Sequence, residues 1–197
     1  ALSRGAEVLP WRWHNETARV FARERGARLA VRREEAGPDD LSLSPASMLG
    51  LEAGEAVVLP SPNGATLSVA ARAHGSVWAV CLRNASATAR HLVRLGGSVG
   101  LVPAGERWPD GSLRVAFEDL MGAGALAARL RGNLGPEATA ARGAFQAARG
   151  ALPRLLAECA SGRELGARGF GDDVRLASEH DVSETLCRLV GDGYTSA

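Results

Sequence analysis

The chain has 197 residues, 46% of them hydrophobic, with 23 basic and 22 acidic side chains. That length and composition support a sizeable packed core, and the near-balanced charge gives no basis for a nucleic-acid or membrane surface. Every basic side chain is arginine, which excludes a Walker-type phosphate loop and a Schiff-base enzyme, because each needs a lysine amine.

The opening Ala1–Ala6 stretch reads as the end of a helix closed by Gly5, so the chain is expected to begin inside a domain. Residues 7–10 form a first strand candidate, and 16–25 have helical spacing with Asn15 as the cap. A short strand at 28–32 precedes a charged loop at 33–40. Ser44 and Pro45 then fit the cap and first position of a short helix. Three continuous apolar runs follow, at 56–60, 77–82 and 99–103. Continuous rather than alternating runs indicate strands buried on both faces. Each precedes a polar loop and a helical pattern, at 65–73, 85–95 and 113–131. That repeat describes a parallel sheet with crossover helices. Beyond Pro136 the chain is helical at 137–149, 152–160 and 172–178. A capping-box pattern lies at Ser161–Glu164 and a closing strand at 184–190. The expected fold is α/β, a three-layer α/β/α arrangement with a largely parallel or mixed central sheet and a helix-rich C-terminal part, as one domain over 1–197.

The three cysteines, Cys81, Cys159 and Cys187, are widely spaced and odd in number. They fit no metal-ligand spacing and indicate a reduced, cytoplasmic protein. Cys81 and Cys187 lie in apolar runs and are expected in the core. The chain lacks a signal-peptide pattern at its start and a run of apolar residues long enough to span a bilayer.

In parallel α/β sheets, ligands bind beyond the carboxyl ends of the strands. The loops expected there are 61–66, 83–86 and 104–112, all polar. Each would present backbone N–H groups at a helix start, where an anion is favoured; capping and turn chemistry alone is the alternative. Asn63 and Asn84 are placed to cap two of these helices. The third loop offers Glu106, Arg107 and Asp110, and its helix carries Glu118 and Asp119 about one turn in. Neighbours on a helix point about 100° apart, so one acid can face a site while the other does not. Hard oxygen donors of this kind suit Mg²⁺. The G-x-S-x-G pattern at Gly96–Gly100 precedes a strand rather than following one, so it is not a nucleophile elbow. His14, His74, His91 and His180 are scattered without ligand spacing.

These loops resemble the 2-phosphosulfolactate phosphatase family. The resemblance is carried by Leu43-Ser-Pro45, Ser61-Pro-Asn-Gly64, Leu82-Arg-Asn-Ala-Ser86, Val102-Pro-Ala-Gly105 and the stretch 113–124 with Phe117-Glu-Asp119 inside it. Ser161-Gly-Arg-Glu-Leu165, Gly169-Phe170 and Asp181-Val182 extend it over nearly the whole chain. It implies a Mg²⁺-dependent hydrolase acting on a small phosphorylated acid such as 2-phosphosulfolactate. By the resemblance, Asn63, Gly64, Asn84, Ser86 and Gly105 hold anionic groups of the substrate, and Arg107 or Arg83 pairs with its sulfonate or carboxylate. Glu118, Asp119 and Glu106 are the catalytic carboxylates, and Glu118 and Asp181 the metal ligands. The alternative is an inactive relative that binds an anion without turnover. A homodimer is expected as the assembly. The family usually begins with a further strand, an Asp-containing loop and a helix, and Ala1 is expected to fall at the end of that helix; the Glu106–Gly111 stretch departs from the family's glycine-rich pattern.

Overall fold

A computed structural model describes all residues, 1–197. In chain order the strands and helices are β1 (Glu7–Trp11), α1 (Glu16–Glu24), β2 (Arg28–Leu29), β3 (Ala56–Pro60), α2 (Gly64–Ala71), β4 (Trp78–Ala79) and α3 (Ala85–Leu95). They continue with β5 (Glu106–Arg107), β6 (Leu113–Arg114), α4 (Phe117–Ala127), α5 (Pro136–Ala148), α6 (Leu152–Glu158), α7 (Ala160–Ala167), α8 (Gly171–Ser178), β7 (Cys187–Val190) and β8 (Gly193–Ser196). The chain divides into two compact units, Ala1–Ala79 with Thr185–Ala197, and Val80–Glu184.

The first unit is built on a six-stranded mixed sheet in the order β2-β3-β1-β8-β7-β4. β3 runs parallel to both β1 and β2, whereas β8 pairs antiparallel with β1 and β7, and β4 pairs antiparallel with β7. The α/β class and the mixed sheet are as the sequence predicts. The apolar run at β3 works as its pattern requires. Val57 and Val58 are both fully buried, and they join different clusters, Val57 with Leu41, Met48 and Leu51, Val58 with Leu9 and Ala22. Successive strand residues point to opposite faces, so each face needs its own apolar cover. α1 begins where expected, with the Asn15 side chain accepting the Ala18 N–H at 3.2 Å. The hairpin of β7 and β8 turns through Gly191, at φ 58°, and Asp192. Arg25 and Arg72 both pair with Asp192, and they hold its carboxyl below the usual range.

The second unit is helical apart from the antiparallel pair β5–β6. Its core gathers Leu82, Met121, Phe145, Leu152, Leu156 and Val174. α4 and α5 approach closely at Gly124, where an added Cβ would lie 2.3 Å from the Ala141 carbonyl oxygen. A glycine there is therefore a packing requirement.

Several expected elements differ. The run at 99–103 forms no strand; Val102 is 69% exposed. Gly96 and Gly97 lie before it in the left-handed region, and Pro103 offers no N–H to a ladder. Of the run at 77–82 only β4 is a strand; Val80 and Cys81 follow outside it, and Leu82 opens a short 3-10 helix, Leu82–Asn84. Cys81 is exposed rather than in the core, and Cys187, in β7, is only half-buried. The helix expected over 113–131 starts at Phe117 instead, since Leu113 and Arg114 pair with β5. α7 is capped by Cys159, whose sulfur accepts the Gly162 N–H, and not by Ser161. The start of the helix near Ser44 is a turn that leads into a 3-10 helix at Ser47–Gly50. All three cysteines are unpaired, and no helix is long and apolar enough to cross a membrane.

Candidate functional site

In the first unit, Asn63 and Gly64 lie where β3 ends and α2 begins, the carboxyl end of a central strand. Asn63 occupies the N-cap position without a side-chain cap bond; its carbonyl accepts the Leu67 N–H at 3.1 Å. The Gly64 carbonyl accepts the Ser68 hydroxyl at 2.7 Å.

The second unit holds the remaining site residues, in two groups. The first group surrounds the start of α3. Asn84 is buried, and its Oδ1 accepts the Cys81 N–H at 2.9 Å. Ser86 donates twice to Asp181, from its N–H to Oδ1 at 2.8 Å and from its hydroxyl to Oδ2 at 2.5 Å. Asp181 sits at φ 55°, a conformation in which aspartate is tolerated better than most residues. His180 Nε2 and Arg129 approach the same carboxylate at 3.1 and 3.7 Å. The anion at this helix start is thus the protein's own carboxylate, with both oxygens engaged. Arg83 pairs with Glu179 and donates to the Leu176 carbonyl, away from this carboxylate.

The second group is built by the β5–β6 pair and the first turn of α4. Gly105, at φ 71°, donates its N–H to Asp119 Oδ2 at 2.8 Å. That bond ties the loop to α4, and an added Cβ at Gly105 would meet Leu113 Cδ1 at 3.0 Å. Glu106 follows Gly105 and lies opposite Arg114 in the pair. Because α4 starts at Phe117, Glu118 and Asp119 fall in its first turn rather than one turn in. The helix dipole favours acids there. Asp119 is half-buried, and burial pushes its carboxyl up against the Gly105 hydrogen bond, with the charges of Glu118 and Glu106 adding to the rise. The three carboxylates therefore share one electrostatic neighbourhood.

Arg114, Glu164 and Cys159, none of them read as site residues from the sequence, complete this group. Arg114 is only 8% exposed, and its fork grips Glu164 bidentately at 2.6 and 3.1 Å. Its Nη2 reaches Ser161 Oγ at 3.4 Å, and its guanidinium lies 5.2 Å from the centre of the Trp108 ring. Its Nε is enclosed and has no hydrogen-bond partner. An unpaired buried donor of this kind costs about 1–3 kcal/mol. The Arg114 side chain holds the Glu164 carboxyl below the usual range. Cys159, at the head of α7, sets its thiol 3.8 Å from Glu118 Oε2 and 3.1 Å from the Leu156 carbonyl. Burial pushes that thiol up, so it is a poor thiolate. The strand period would have turned Arg114 inward opposite exposed Leu113, and Ser161–Glu164 was visible as a pattern, but its glutamate serves Arg114 and not a cap.

Arg107 closes β5, and Asp110 lies in the turn of the same pair. Arg107 donates to the Gly111 carbonyl at 2.7 Å, and Asp110 accepts from the N–H and hydroxyl of Ser112, which lowers its carboxyl. The two metal candidates occupy different groups: Glu118 beside Cys159, Asp181 on Ser86. No three or more His, Cys, Asp and Glu side chains form a cluster able to hold a metal by themselves. A cleft of the first unit is lined by Glu16, Arg19 and Arg23 over Ala22 and Leu29, and one of the second by Ala157, Gly162, Arg163 and Arg175. Neither is lined by the carboxylates above.

A family model described as 2-phosphosulpholactate phosphatase matches residues 1–192. No curated protein matches the chain. The chain belongs to the 2-phosphosulpholactate phosphatase family.

Proposed function

We propose that the chain hydrolyses 2-phosphosulfolactate, or a closely related small phosphorylated acid, to the free hydroxy acid and phosphate, with Mg²⁺ as cofactor. The family-model match over residues 1–192 carries this reading. The carboxylates at the start of α4 support it. Mg²⁺ takes only one or two protein carboxylates and fills its shell with water and phosphate oxygens. Glu118 with Glu106 or Asp119 suits that need, without a larger protein cage. Asp181 is the lesser ligand candidate, because both its oxygens accept from Ser86.

When bound, Mg²⁺ would supply charge neutralisation at the phosphoryl oxygens. The protein's own part is to orient water and move its proton. Asp119, with its carboxyl pushed up, is the better proton acceptor for the attacking water, and the Gly105 N–H fixes its direction. The water oxygen bonds to phosphorus, the ester P–O bond breaks, and the leaving alkoxide takes up a proton. Gly105 and Arg107 are the substrate-binding candidates this chemistry uses. Asn63, Gly64, Asn84 and Ser86 stay candidates for holding anionic groups.

A reduced, cytoplasmic setting is part of the proposal, in keeping with three unpaired cysteines. A homodimer is also proposed, supported by the exposed apolar side chains Leu95, Val102, Leu113 and Val115; light scattering in solution tests it. The function is tested by phosphate release with and without Mg²⁺ across small phosphorylated acids, 2-phosphosulfolactate included. Mg²⁺-dependent release supports it. Binding of the same compounds without release, metal present, favours the anion-binding module.

A further inference from the structure

We infer that Arg114 is the anchor for one of the acidic groups of the substrate other than its phosphate, a carboxylate or sulfonate, and that Glu164 occupies that anchor when no substrate is bound. The inference rests on the hydrolase reading above and names a specificity-determining residue within it.

Three observations carry it. Arg114 is fixed: its side chain is enclosed, and its guanidinium lies 5.2 Å from the Trp108 ring centre. A planar guanidinium held by an aromatic ring presents its donors in one direction and is suited to bidentate capture of a carboxylate or sulfonate. Its present partner is not fixed in the same way. The Glu164 side chain is 54% exposed, whereas that of Arg114 is 9% exposed. Glu164 can turn to water at little cost, while Arg114 has nowhere to go. The guanidinium also has unused capacity, since Nε has no acceptor.

The charge balance points the same way. Glu106 and Glu118 both act on Arg114 electrostatically, and Asp119 lies beside them. 2-Phosphosulfolactate carries a carboxylate and a sulfonate besides its phosphate, and both are repelled by these carboxylates unless a cation offsets them. With metal on the phosphate, Arg114 is the buried cation available to one of the two. Arg107, exposed and bonded to the Gly111 carbonyl, is a candidate for the phosphate rather than for this group.

The test compares phosphate release from 2-phosphosulfolactate with that from glycerol 2-phosphate, which has no second acidic group. Arg114→Gln is expected to raise KM for the first about 10- to 100-fold, and to leave kcat and the second substrate nearly unchanged. Glu164→Gln is expected to lower KM for the first, because the competitor for the fork is gone. Equal losses for both substrates in Arg114→Gln, or a raised KM in Glu164→Gln, would mark the pair as a structural clamp and overturn the inference. Arg114→Lys keeps the charge and, should Arg114→Gln unfold, takes its place with an intermediate KM expected. If the unaltered protein releases no phosphate, the hydrolase reading fails by itself. Calorimetry with sulfoacetate then decides on the anchor. Binding that Arg114→Gln weakens and Glu164→Gln strengthens supports it; no binding to the unaltered chain overturns it.

Discussion

Two helices of the second unit begin beside carboxylates, and the two starts are chemically opposite. At α3, Asp181 gives one oxygen to the Ser86 N–H and the other to the Ser86 hydroxyl. At α4, the charges of Glu118 and Glu106 act on Asp119, and its Oδ2 accepts the Gly105 N–H at 2.8 Å while Glu106 Oε1 accepts the Arg107 N–H at 2.9 Å. A satisfied acid at a helix start stabilises the helix; a crowded one is held at a cost, and such sites are where chemistry is found. This contrast sets the proposed catalytic carboxylates at the α4 start against a carboxylate at the α3 start whose two oxygens are already satisfied.

The largest expected effect is at Glu118. Glu118→Gln should cut Mg²⁺-dependent phosphate release by about 100-fold or more while the unfolding midpoint stays nearly constant. Loss of fold with loss of activity would erase the contrast. Asp181→Ala should do the reverse, with a stability loss of about 1–3 kcal/mol from the lost cap and the stranded Ser86 donors. Denaturant unfolding measures it. A fully stable but inactive Asp181→Ala protein would instead make Asp181 a ligand of the metal.

Asp119 sharpens the comparison through pH. Its folded carboxyl is raised, so its contribution to stability is present below its ordinary value and is lost as pH rises through the raised one. Asp119→Asn should therefore unfold at a higher temperature than the parent at neutral pH and lose this part of the pH dependence, with activity sacrificed. The smallest effect is at Glu164. Arg114 lowers its carboxyl, so the pair stabilises above the ordinary carboxylate range and is lost as pH falls through the depressed value. With Glu164 largely exposed, Glu164→Gln should change stability by no more than about 1 kcal/mol by chemical denaturation.

The sequence by itself determined what depends on neighbours along the chain. Asn15 as the α1 cap, the limits of α3 at Ala85–Leu95 and the two-sided burial of β3 were all legible, because capping and periodicity are set by residues a few positions apart. The candidate carboxylates Glu106, Glu118 and Asp119 were legible as types on one loop and helix. Their grouping was not, since it required the helix to start at Phe117 and Gly105 to fold back onto it. An apolar run such as 99–103 becomes a strand only if a partner backbone accepts its hydrogen bonds, and that is decided by the rest of the chain. The same holds for Arg114 and Glu164, which meet across 50 positions. Side chains that distant leave no periodic trace, and only the tertiary structure brings the buried guanidinium onto Glu164 and opposite Glu106.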